Sequence, residues 1–168
     1  GVLAGIVKSI GEKVTRLRPG DRVFGSTGLR FGAHAEYACL PESAALAIMP
    51  GKLSFRDAAA VPFGGLTALH FLRRAEIKPA QRVLIFGASG SVGTAAVQIA
   101  KYYGAEVTAV CSNANLELAR SLGADHLIDY NASDFSEKRG AYDVVFETVG
   151  KTTFVKCIRA LKASGVLL

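Results

Sequence analysis

Three glycines, Gly87, Gly90 and Gly93, sit in the run Gly87-Ala88-Ser89-Gly90-Ser91-Val92-Gly93. It follows the apolar run Val83-Leu84-Ile85-Phe86 and leads into an Ala-rich segment ending near Tyr103. A Gly-x-x-Gly-x-x-Gly turn between a buried strand and a helix suits one task above others, holding the pyrophosphate of a dinucleotide. Unpaired N–H groups and the positive end of the helix dipole meet the anion there. The glycines allow the tight turn, clear side chains from the approach path and let the helix lie close on the sheet. The spacing departs from the usual Gly-x-Gly-x-x-Gly by setting Ala88 and Ser89 before Gly90, and the other use of such glycines is simply to pack helix on sheet.

The end of the next strand normally selects between the two nicotinamide dinucleotides, because a carboxylate there takes the ribose hydroxyls and repels a 2′-phosphate. Here the run is Val110-Cys111-Ser112-Asn113-Ala114-Asn115, with no acidic residue before Glu117. Ser112 and Asn115 can accept a phosphate, so NADPH is favoured over NADH. Both side chains can equally cap the following helix, and one group can do both.

Other reactive types are sparse. Cys39, Cys111 and Cys157 are widely spaced, without zinc-finger or redox pairing, and read as buried thiols of a protein in a reducing, cytoplasmic compartment. His34, His70 and His126 lie in unrelated segments and read as ordinary surface or core residues, so no metal site is expected.

The elements that must carry these residues change style near residue 60. Before it, short strands alternate with turns: Gly5 to Ile10, the turn Pro19-Gly20-Asp21, a strand from Arg22, and another from Ala35 to Leu40. Ser54 with Asp57 opens a helix that Pro62 should end or kink, and a further helix runs from about Gly65 to Arg74. From Arg82 onward, strand and helix alternate. Strands are expected at Val83–Phe86, Val107–Cys111, Leu127–Ile128, Asp143–Phe146 and Gly165–Leu168, with helices at Ser91–Tyr103, Leu116–Leu122 and Thr152–Leu161. This alternation implies an α/β fold, a Rossmann-type doubly wound parallel sheet, preceded by part of a β-rich lobe.

Composition sets further limits. The chain has 168 residues, 20 Lys and Arg against 14 Asp and Glu, 50% hydrophobic residues and a mean hydropathy of +0.29. It can bury a core, and it contains no apolar run long enough for a membrane span. The net charge of +6 is scattered, weighted to the first half, and not interleaved with aromatics, which speaks against nucleic acid as a partner. No initiator Met, signal peptide or transit-like segment is present.

Taken together, several stretches resemble the medium-chain dehydrogenase/reductase superfamily, and within it the zinc-independent NADPH:quinone oxidoreductase branch. They are Arg18-Pro-Gly-Asp-Arg-Val-Phe-Gly25, Ala35-Glu-Tyr37, Leu53-Ser-Phe55, Ala58-Ala-Ala-Val-Pro62 with Gly65-Leu-Thr-Ala68, Gly87 to Gly93 followed by Ala96-Val-Gln-Ile-Ala-Lys101, Leu122-Gly-Ala-Asp-His126, Ile128-Asp-Tyr130 and Glu147-Thr-Val-Gly150. The resemblance implies a partial GroES-like catalytic lobe over residues 1–62 and a Rossmann cofactor-binding domain over residues 63–168. It also implies that the beginning of the first lobe and the last strand of the second are absent. By the same comparison, Thr67 lies near the nicotinamide, Ser91 and Val92 touch the pyrophosphate, Tyr130 lies near the adenosine 2′-phosphate, and Thr148 and Val149 border the cofactor. Ala114 stands where relatives often carry Lys or Arg, which implies weak selectivity for NADPH. Phe63 stands where zinc-containing relatives place a cysteine, and the stretch from Gly25 to Glu36 is too short and Cys-poor for their structural zinc loop.

The activity implied is hydride transfer from a reduced nicotinamide to a quinone or a related enone or enal. Two alternatives are an enoyl-thioester or alkenal reductase on the same scaffold and a noncatalytic NADPH-binding module. No catalytic residue is assigned; Tyr37 and Thr67 are the polar groups to examine, Tyr37 reading more naturally as a residue packed in its sheet. The resemblance further implies a homodimer for the full-length protein, with Gly165 to Leu168 an unpaired sheet edge here.

Overall fold

The computed structural model describes residues 1–29 and 31–168, and the chain divides into two compact units, Gly1–Phe63 and Gly64–Leu168.

In the first unit, β1 (Val2–Ile6), β2 (Arg22–Ser26) and β3 (Ala45–Ile48) form an antiparallel sheet in the order β1-β2-β3, with Phe24 opposite both Ala4 and Ala47. Three expectations are corrected here. The first strand lies earlier than Gly5 to Ile10, because only Val2–Ile6 finds partners on β2. No strand forms over Ala35 to Leu40, and its place in the sheet is taken by Ala45–Ile48. Strand propensity without a partner ladder does not make a strand. Tyr37 is consequently 70% exposed rather than packed in a sheet, and Cys39 is an exposed thiol, whereas Cys111 and Cys157 are buried.

Helix α1 (Phe55–Arg74) opens as expected: Ser54 Oγ accepts from Asp57 N at 3.1 Å. It then runs through Pro62 without ending, so the expected pair of helices is one. Pro62 removes a single donor, but it is buried one turn after the buried Ala58, on a helix whose later residues Ala68 and Leu72 are also buried. Apolar packing along that face offsets the lost hydrogen bond.

The second unit holds β4 (Arg82–Phe86), α2 (Ser91–Tyr102), β5 (Glu106–Cys111), α3 (Leu116–Ser121), β6 (His126–Asp129), β7 (Tyr142–Glu147), α4 (Phe154–Ala160) and β8 (Leu161–Leu167). All five strands are parallel, in the order β6-β5-β4-β7-β8. This is a Rossmann-type sheet. Its strand order reverses between β4 and β7, the switch point where ligands enter folds of this kind. The central strands are apolar on both faces: Val83, Ile85, Val107 and Val144 pack with Ala68, Leu72, Ala96 and Val97 on one side, while Leu84, Val110 and Val145 pack with Phe135, Cys157 and Ala160 on the other.

The last strand also begins earlier than Gly165. Leu161 pairs with Tyr142, the ladder resumes at Val144 and Val166, and the residues between bulge out, with Lys162 Nζ on the Asp143 carboxylate at 2.8 Å. The preceding helix is accordingly shorter than Thr152 to Leu161; it is capped by Thr153, whose Oγ1 accepts from Lys156 N at 3.4 Å. Among the described residues no helix is long and apolar enough to cross a membrane.

One contact sets an acid sensitivity. The Lys156 ammonium at 2.7 Å, helped by the N–H and hydroxyl of Ser136, holds the Asp134 carboxyl down at about 2 from the usual 3.8. A depressed carboxylate stabilises the fold above its unfolded pKa, and that contribution disappears as pH falls from about 4 toward 2. The two side chains are 48% and 35% exposed, so solvent screening reduces the gain to about 1 kcal/mol. Urea melts should show Asp134→Asn less stable than wild type by that amount at pH 6, and the two converging near pH 2; a constant gap across this range would contradict the assignment.

Candidate functional site: a dinucleotide cradle at the sheet's C-terminal edge

The chain leaves β4 at Phe86 and turns immediately. Gly87 has φ +82°, a left-handed conformation, and Gly87 N and Ala88 N both donate to Val110 O, at 2.9 and 3.1 Å, tying the turn to β5. Gly90 N closes back on Gly87 O at 3.0 Å, and Gly90 is the N-cap of α2. Glycine offers no side chain, so the first turn of α2, with Ser91, Val92 and Gly93, starts without a side-chain cap. Donors left in this way at the head of a 12-residue helix are what an anion needs.

Two glycines of this turn are required by space. A Cβ on Gly93 would overlap Gly87 O and lie 2.7 Å from Ala88 Cα, so α2 could not reach the turn. A Cβ on Gly87 would overlap the Val149 side chain and come within 2.6 Å of Thr148 Oγ1. Gly90 is different: its nearest neighbour would be Gly87 O at 3.4 Å, so the protein itself leaves room for a side chain there.

The loop after β7 completes the wall. Thr148 Oγ1 donates to Phe86 O at 2.8 Å, and Thr148 N donates to the same oxygen at 3.2 Å. These bonds join the ends of β4 and β7 and bring Thr148 and Val149 to Gly87. Helix α1 approaches from another direction: Gly64 is buried against the Ser91 backbone, and Thr67 follows three residues later on the same helix face. Gly64 was not singled out by the sequence reading, because a glycine inside a helix gives no sign of what it touches.

Ser112, Asn115 and Tyr130 occupy the ends of β5 and β6. Asn115 Nδ2 donates to Ser112 Oγ at 3.0 Å, and neither side chain makes a cap hydrogen bond, so they form a polar pair rather than helix caps. Tyr130 is 52% exposed, its ring centroid 6.3 Å from that of Phe86. Asp129 is directly in register with Cys111, whose thiol is pushed up first by burial and then by this carboxylate. The strand end that looked free of acid in the linear sequence therefore has a carboxylate on its neighbour. Asp129 is partly engaged, accepting Asn131 N at 2.9 Å.

Among the described residues no three His, Cys, Asp or Glu side chains gather closely enough to hold an ion, and His126 instead lies 2.8 Å from Glu106.

Comparison with known proteins places this architecture. The family model described as zinc-binding dehydrogenase matches residues 91–168. The chain is 36% identical to a 2-methylene-furan-3-one reductase of Solanum lycopersicum over 97% of its own length and 44% of the relative's. It shows the same identity and coverage, 36%, 97% and 44%, with an NADPH-dependent alkenal/one oxidoreductase, chloroplastic, of Arabidopsis thaliana. A quinone oxidoreductase structure from Pseudomonas syringae pv. Tomato DC3000 superposes with a TM-score of 0.89 at 34% identity, over 99% of this chain and 54% of the other. The chain thus spans about half the length of the relatives it matches. The fold, a five-stranded parallel sheet in one unit and a small antiparallel sheet in the other, matches that of the solved quinone oxidoreductase, and the chain belongs to the medium-chain dehydrogenase/reductase superfamily.

Proposed function

We propose that this chain is the cofactor-holding part of an NADPH-dependent reductase acting on conjugated carbonyls, the enone, enal and quinone class, without zinc. One observation carries the reading: a glycine turn with no room for side chains at Gly87 and Gly93 lies at the sheet's switch point, in front of a helix whose N-terminus has no side-chain cap. The names of the tomato, Arabidopsis and Pseudomonas proteins support the substrate class.

In this reading the backbone of Gly87, Ser89, Gly90, Ser91, Val92 and Gly93 takes the pyrophosphate. Ser112, Asn115 and Tyr130 hold the adenosine 2′-phosphate with neutral donors, and Thr148 and Val149, with Thr67 from α1, line the nicotinamide half. The nicotinamide, when bound, supplies the hydride. The polypeptide contributes orientation and shielding from water on one side of the ring. No side chain among the described residues is assigned as general acid, and the reading without zinc is supported by the lack, among those residues, of any cluster of three His, Cys, Asp or Glu side chains. The homodimer implied by the resemblance remains part of this proposal, as does a cytoplasmic location.

The test is titration with NADPH and NADH, followed by nicotinamide fluorescence and thermal stability. With neutral donors at the 2′-phosphate and Asp129 beside Cys111, NADPH should bind more tightly by only about three- to tenfold, the worth of one ordinary hydrogen bond. Tighter binding of NADH would overturn the 2′-phosphate assignment. Binding of neither would overturn the dinucleotide reading.

A further inference from the structure

We infer that Glu147 is a positioning residue that holds the nicotinamide-side wall of the cradle in place. This inference rests on the dinucleotide reading of the site. Glu147 ends β7, is half-buried, and folds its carboxylate back over the loop that follows: Oε2 accepts Gly150 N at 2.6 Å, and Oε1 accepts Val149 N at 3.1 Å and Lys151 N at 3.4 Å. Successive N–H groups converge on one anion because Gly150 turns left-handed, at φ +73°.

The need for such a clamp is visible in Val149. Its side chain is 47% exposed, so burial alone does not fix it, yet it fills the space over Gly87. What fixes it is Thr148 on Phe86 O before it and the Glu147 carboxylate around it. A charged acceptor makes shorter and stronger bonds than a neutral one, so Glu147 holds this loop more firmly than a neutral side chain would. The sheet order then assigns the wall to one end of the ligand. With β5 on one side of β4 and β7 on the other, a dinucleotide whose pyrophosphate lies on the β4 turn has its adenosine half toward β5 and its nicotinamide half toward β7.

Glu147→Gln keeps the volume and removes the second accepting oxygen. The chain and this variant are titrated with NADPH and, separately, with adenosine 2′,5′-bisphosphate, which lacks the nicotinamide half, and both are melted. Expected is a loss of about tenfold in NADPH affinity with the bisphosphate affinity unchanged, the loss of a charge-assisted bond acting only on that half. Gly150→Ala, which strains the same loop without a steric neighbour inside 4 Å, should reproduce the split. Equal weakening of both ligands, or none, overturns the inference while leaving the dinucleotide reading intact. Variants that are unfolded at the assay temperature overturn it as well, since the clamp would then be structural. A wild-type chain that binds neither ligand overturns the dinucleotide reading and this inference with it.

Discussion

Gly93→Ala is expected to lower the melting temperature by about 5–10 °C and to abolish detectable dinucleotide binding. The added methyl meets main chain, overlapping Gly87 O and lying 2.8 Å from the Gly87 carbonyl carbon, so no rotamer relieves it. Overpacking of this kind costs about 2–3 kcal/mol, which for a domain of this size is a shift of several degrees. Its functional effect is larger, because the only relief is for the head of α2 to withdraw from the turn, which takes its N–H groups away from the anion. Losing two bonds to a charged group weakens binding by more than about 100-fold. Gly90→Ala separates the two effects. Its methyl would sit 3.4 Å from Gly87 O, ordinary contact, so stability should fall by no more than about 1 kcal/mol, the cost of alanine at a helix N-cap. Binding should still weaken, because the methyl projects into space the ligand needs. If Gly90→Ala binds as wild type does, the pyrophosphate does not lie on this turn.

The second large effect is expected at Gly64→Ala. Alanine is the better helix former by about 1 kcal/mol, so on propensity alone the variant should be more stable. The structure predicts the opposite. A Cβ at Gly64 would overlap Ser91 O and approach Ser91 Oγ at 2.5 Å, at the residue that opens α2. Because the main-chain oxygen cannot rotate away, α1 must separate from the head of α2, for a net loss of about 1–2 kcal/mol. Thr67 moves with it, and NADPH affinity should fall by about tenfold. Thermal melting decides between the two accounts: a raised melting temperature would mean that the contact between these helices yields freely.

These two glycines show where the sequence was informative. Gly93 announced itself, because it stands at fixed spacing from Gly87 and Gly90 between an apolar run and an Ala-rich helix; spacing along one chain is enough to define a turn. Gly64 did not, since its reason lies in a residue 27 positions later. The same division runs through the fold. Strand β4 was legible as the continuous apolar run Val83–Phe86, because a parallel strand covered on both faces is apolar nearly throughout, and β5 and β7 followed from their place in the alternation of strand and helix. The antiparallel sheet was read poorly: Ala35 to Leu40 had the composition of a strand, but Ala45–Ile48 had the partner. Pairing in such a sheet is set by contacts between distant segments, and short strands carry little local preference of their own.

By itself, then, the sequence determined the class of this protein: the alternating βα pattern, the glycine turn and the absence of any closely spaced metal-ligand set are properties of order and spacing along the chain. Only the tertiary structure decided what stands around the turn. It brought Thr148 and Val149 onto Gly87, set Asp129 beside Cys111, and curled Glu147 around its own loop. Each of these is a juxtaposition across neighbouring strand ends or a backbone conformation at one residue. Neither leaves a periodic trace, because the residues concerned share no fixed separation and their roles depend on the sheet order, which local preference does not encode.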